Sequence, residues 1–98
     1  MNKDLNQKSS ELINLKIPCP LCIIEDRYGG AYSGACFLAF NLSPSYIFFE
    51  LPVDAGDVEC QNFWEGNDPD HDVNDYIIGK GNTPEEALKN LIILLQDN

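Results

Sequence analysis

The chain has 98 residues, 44% of them hydrophobic and 10% aromatic, with six Lys and Arg against sixteen Asp and Glu for a formal charge of −10. That length makes one domain with a modest core, and the apolar share argues for a folded globule rather than a disordered acidic tail. So few cations disfavour direct contact with nucleic acid or an anionic membrane, both of which are gripped by Lys and Arg.

Residues 1–14 form a polar N-terminal arm with weak helical spacing at Leu5, Leu12 and Ile13, and residues 15–98 make a single α+β domain. The arm lacks the apolar run of a signal peptide, and no later stretch approaches bilayer length, so a cytoplasmic address is expected. After Pro18 and Pro20 the run Leu21-Cys22-Ile23-Ile24 is rich in strand formers. The glycines and serine of Tyr28–Gly34 make a turn, and Ala35–Phe40 returns as the second strand of a hairpin. Asn41–Ser45 breaks that run. Tyr46–Leu51 is a third apolar run, stopped by Pro52.

Residues 53–74 read as irregular and acidic. Within them Asp57 can cap a short helix through Trp64, closed by Gly66. Asn67–Asp72 is a loop, and Asp75–Gly79 reads as a last short strand. Thr83, Pro84 and Glu86 then spell a helix start with a capping box, and Glu85 and Glu86 suit the positive end of its dipole. Ala87, Leu88, Leu91, Ile92, Leu94 and Leu95 fall mostly on one face. The expected fold is an antiparallel sheet of three to five strands, with this amphipathic C-terminal helix packed on one face.

Several patterns bear on chemistry. Cys19-Pro20-Leu21-Cys22 is a CxxC, but strand formers and two carboxylates follow it, where a redox site needs a helix N-terminus. A zinc-stabilised accessory domain would need Cys60 and His71 to join Cys19 and Cys22 by long-range convergence, since no second CxxC exists. Unbridged, the cysteines act as small hydrophobes. Asp68, Asp70, Asp72 and Asn74 alternate like calcium-loop ligands, yet Val73 and Gly79 stand where that loop requires Gly and Glu. The glycines match no nucleotide-binding fingerprint, and no nucleophile or acid–base pair stands out, so no enzyme, cofactor or resident metal is expected.

Charge distribution is more informative. Between Arg27 and Lys80, 52 residues pass without a Lys or Arg and carry nine carboxylates. A domain so biased cannot neutralise its own field and should meet a basic partner quickly. Glu59, Glu65, Asp68, Asp70, Asp72 and Asp75 are the expected partner-binding carboxylates. Trp64, set among them, is the expected anchor, because Trp is enriched at interface hot spots; of Phe63 and Trp64, one ring should pack inward and the other stay partly exposed.

Two segments resemble the HicB-like antitoxins. Ile23–Tyr32, with its Arg27-Tyr28-Gly29-Gly30-Ala31-Tyr32 turn, resembles their opening strand and Gly-Tyr turn. Ile78–Leu91, through Gly79-Lys80-Gly81-Asn82-Thr83-Pro84-Glu85-Glu86, is similar to their threonine-capped helix. The resemblance implies a small domain that neutralises a toxin, typically an RNA-cleaving one with a basic surface. A long acidic segment replaces the tight Pro–Gly turn expected after the second strand, and no DNA-binding module is read after the helix. The expected function is therefore that of an acidic immunity or antitoxin protein that occludes the cleft of a basic toxin, foremost a nuclease. A phage-encoded mimic of nucleic acid that blocks a host defence complex is the alternative with the same physics.

Overall fold

The computed structural model describes residues 17–97, so the expectations for the N-terminal arm lie outside the described residues. Three strands, β1 (Cys22–Glu25), β2 (Phe37–Phe40) and β3 (Ile78–Gly81), form an antiparallel sheet in the order β1-β2-β3. β2 is central, pairing Ala39 with Ile23 on one side and with Gly79 on the other. Side chains alternate across a strand, so the two faces of β2 carry different residues. Phe37 and Ala39 join Leu21 and Ile23 on one face, while Leu38 and Phe40 join Cys22, Ile24 and Ile78 on the other.

The hairpin turn is built around one buried carboxylate. Asp26, 5% exposed, accepts from the Tyr28 backbone N–H at 2.8 Å and from the Ser33 hydroxyl, and its own N–H donates to the Cys36 carbonyl. Those bonds offset the cost of removing the charged group from water. Gly29, Gly30 and Gly34 all adopt positive φ, which residues with a Cβ rarely tolerate.

The first face is covered by the C-terminal helix, α3 by chain order (Pro84–Gln96). The Thr83 hydroxyl accepts from the Glu86 N–H at 3.1 Å, as its sequence demands. The return bond of the box runs one residue further back, from the Asn82 N–H to the Glu86 carboxylate. Ala87 and Leu91 sit on Ala39, and the helix comes so close that a Cβ on Gly79 would lie 2.2 Å from the Ala87 carbonyl oxygen.

The second face is covered by the long segment between β2 and β3. Tyr46–Leu51 is not a strand there: Pro44–Glu50 is helix α1, with Ser43 accepting from the Tyr46 N–H and Pro44 in the first turn. The cap overrides the strand preference of Tyr, Ile and Phe, which is strongly context-dependent. A 3₁₀ turn (Pro52–Asp54) leads to helix α2 (Asp57–Trp64). Gly56 takes the N-cap position in place of Asp57, whose carboxylate instead accepts the Tyr32 hydroxyl and pushes that phenol up to about 12. Gly66 closes α2 as expected, donating to the Phe63 carbonyl at 3.2 Å.

Ile47, Leu51, Val53 and Phe63 descend from this segment onto Leu38 and Phe40. The segment is therefore an ordered layer rather than an irregular loop. The last strand starts later than Asp75, because Asp72 caps a 3₁₀ turn over Val73–Asp75 by accepting from the Asn74 N–H. Among the described residues no helix is long and apolar enough to cross a membrane.

Candidate functional site

α1 buries a single side chain, Ile47, and its neighbours pay the geometric consequence. Successive helical residues are turned by about 100°, so with Ile47 inward and Leu51 pinned in the core, the next two rings swing outward. Phe48 is 52% exposed and Phe49 85%. α2 is fixed by buried Cys60 and Phe63, which turns Glu59 to solvent on the same side. Between these helices and the following loop runs a groove of about 470 Å³, with Phe48 and Phe49 on one wall and Glu50, Glu59, Asp68 and Asp70 among its lining.

The loop wall is organised by Asp68, whose side chain is 12% exposed. Its carboxylate accepts the Asp70 backbone N–H at 2.9 Å and lies 3.3 Å from His71 Nδ1. These contacts, the Asp70 N–H foremost and the imidazole after it, hold the Asp68 carboxyl below the usual carboxylate range. His71 also lines the groove.

Among the described residues this Asp68–His71 contact is the only close approach of a carboxylate to a basic side chain. Arg27 is spent elsewhere: its Nη1 donates to the Asp54 and Ala55 carbonyls at 3.5 and 3.4 Å. The Lys80 ammonium stands over the Trp64 ring, 5.2 Å from its centroid.

The structure divides the expected partner-binding set. Glu59, Asp68 and Asp70 share the groove. Asp72 is exposed just beyond it, and Glu65, at the end of α2, is exposed and accepts from Gln61. Asp75 lies beside a separate shallow recess with Tyr76 and Ile77. Trp64 is not in the groove. It packs half-buried against the core, edge to face with fully buried Phe63, and borders another recess with Val73, Tyr76, Lys80 and Leu94. One ring inward and the other partly exposed is thus the arrangement found. The Trp64 indole N–H is near enough to the Cys60 sulfur to temper the rise in that thiol's pKa, but it falls outside hydrogen-bond geometry.

The cysteines are not assembled. Cys60 is wholly buried with its thiol toward the Val53 carbonyl, Cys22 is buried and Cys19 exposed. Burial pushes the Cys22 and Cys60 thiols up. Among the described residues no three His, Cys, Asp or Glu side chains are grouped to hold a metal ion, so Cys19, Cys22, Cys60 and His71 do not converge.

Phe48, Phe49 and Glu50 are the groove residues that sequence reasoning passed over. The signal available was Ser43-Pro44, the same hydroxyl–proline start as Thr83-Pro84, followed by a run too short to bury both sides of a helix. Comparison with protein-family models, with curated proteins and with solved structures finds no match for this chain.

Proposed function

We propose that this chain is a small acidic immunity or antitoxin protein, which binds a basic toxin, foremost a nuclease, and occludes its active cleft. The observation that carries this is the unneutralised charge of the layer between β2 and β3. Its carboxylates are displayed on an ordered scaffold, and no Lys or Arg among the described residues pairs with any of them. A protein that only needed solubility could disperse such charge, whereas here Glu50, Glu59, Asp68 and Asp70 converge on one groove.

Opposed charges of this kind act chiefly on encounter, raising the association rate, while pairs that become desolvated in the complex slow its dissociation. The resemblance to the HicB-like antitoxins supports the same class. The two segments that carry it adjoin, with Ile23 of β1 packed in the cluster that holds Ala87 and Leu91 of α3. The acidic layer is inserted between them in sequence and lies on the opposite face of the sheet.

Affinity capture from the native cell at low salt, with this chain as bait and stepwise salt elution, tests the proposal. One basic protein retained in stoichiometric amount and released only at high salt or by denaturant is the expected result. No stoichiometric partner, or one without a basic surface, contradicts it.

A further inference from the structure

We infer that the groove between α1 and the Asp68–His71 loop receives a cationic segment carrying an apolar side chain between its charges, with Phe48 and Phe49 as the apolar contact and Glu50, Glu59, Asp68 and Asp70 as the charged rim. This rests on the reading that the partner is basic and adds what lies at the centre of the contact. It also moves the anchor away from Trp64, which is half-buried in the core and already covered by Lys80.

The choice of occupant follows from the two kinds of surface that the groove combines. Adjacent exposed aromatic rings on a small acidic domain mark an interaction site rather than a solvated face. A wholly apolar partner would cover the rim carboxylates without pairing them, and buried unpaired charge is strongly unfavourable. A partner offering only Lys and Arg would satisfy the rim but leave Phe49, at 85% exposure, without an apolar neighbour.

A second copy of this chain, groove to groove, would set Glu50, Glu59, Asp68 and Asp70 against their own counterparts, and like charges across an interface oppose association. A cationic segment with an apolar residue among its charges satisfies both surfaces. It covers the exposed rings with an apolar side chain and sets its charges against the carboxylates.

Two synthetic peptides of equal length and charge test this with the intact protein, one carrying Leu among its Lys residues at the i, i+3, i+4 spacing of an amphipathic helix and one with Ser in place of Leu. The Lys/Leu peptide should bind about tenfold tighter or more, a difference of about 1.4 kcal/mol. Phe48→Ser with Phe49→Ser should abolish that difference, both peptides then binding at the level of the Lys/Ser peptide. Glu59→Gln with Asp70→Asn should weaken both peptides. Circular dichroism checks that the variants fold, and Phe49→Ser alone serves if the double variant does not.

A preference for Lys/Leu that survives the Phe substitutions places the apolar contact elsewhere and overturns the inference. Equal binding of the two peptides, weakened in the Glu59/Asp70 variant, also overturns it while leaving the basic-partner reading intact. Binding indifferent to Glu59 and Asp70, or no binding of either peptide, contradicts the reading and the inference together.

Discussion

On one face of the sheet α3 lies against Ala39, Gly79 and Gly81, a surface made by leaving side chains out. On the other, the segment that runs through α1, the 3₁₀ turn and α2 drops Ile47, Leu51, Val53 and Phe63 onto Leu38 and Phe40, a surface made by filling it with large ones. The faces also differ in charge. The acids at the start of α3, Glu85 and Glu86, sit where the helix dipole favours them. Those of the inserted layer pair with no Lys or Arg among the described residues, and Glu50, Glu59, Asp68 and Asp70 line its groove. The difference teaches that one sheet supports two jobs: a tightly fitted frame, and a bulky layer whose outer side is free to carry charge and exposed rings.

Opposite substitutions should therefore break the two faces. Phe63→Ala deletes the main contact of the inserted layer and should cost about 3–5 kcal/mol, read from urea unfolding. Gly79→Ala adds one carbon to the frame, where it would meet the backbone of Ala87 and Leu91 at 2.2 and 2.4 Å. Backbone cannot swing aside as a side chain can, so a loss near the top of the roughly 1–3 kcal/mol usual for overpacking is expected. A neutral Gly79→Ala would mean that α3 is held more loosely than this packing requires.

The seam between the regions can be sharpened in the same way. Tyr28, in the hairpin turn, donates its hydroxyl to the Ala55 carbonyl at 2.8 Å and so ties the turn to the inserted layer. Tyr28→Phe should cost about 1 kcal/mol by the same assay. Hydrogen exchange should rise over residues 52–57 more than within α3, because the lost bond holds only the layer.

The smallest expected effect concerns pH. The Asp68 carboxyl is lowered in the folded state, chiefly by the Asp70 N–H, so its contribution to stability is fully present above the ordinary aspartate range, about pH 4, and is lost as pH falls through the folded value. The stability gap between the parent and Asp68→Asn should shrink as pH falls below that range. It should stay under that of Tyr28→Phe. Comparing the two proteins removes the general relief of repulsion that protonating the other carboxylates brings.

The frame was the more legible half. The hairpin could be read because apolar runs of similar length flank a glycine-rich turn, and α3 because Thr83, Pro84 and Glu86 precede a thirteen-residue helix with a periodic apolar pattern. What Gly79 and Gly81 do could not be read. In sequence they only weaken a strand, and only the structure shows Gly79 against Ala87 and Leu91 and Gly81 against Glu86 and Ala87.

The inserted layer was read poorly for a related reason. α1 carries the same hydroxyl–proline start as α3, but over seven residues of strand-favouring Tyr, Ile and Phe no helical period can establish itself. The acidity of the candidate site was plain in the sequence. Its two rings were not, because apolar side chains are expected inside unless a structure puts them out.

The account depends most on those rim carboxylates steering and holding a basic partner. The direct measurement is the association rate between this chain and the protein it captures, followed from low to physiological salt, for the parent and for Glu59→Lys with Asp70→Lys. The parent rate should fall about tenfold or more across that range, and the variant should associate more slowly with a flatter salt dependence. Equal rates with equal salt dependence in the two proteins would place the interface away from this groove and contradict the account.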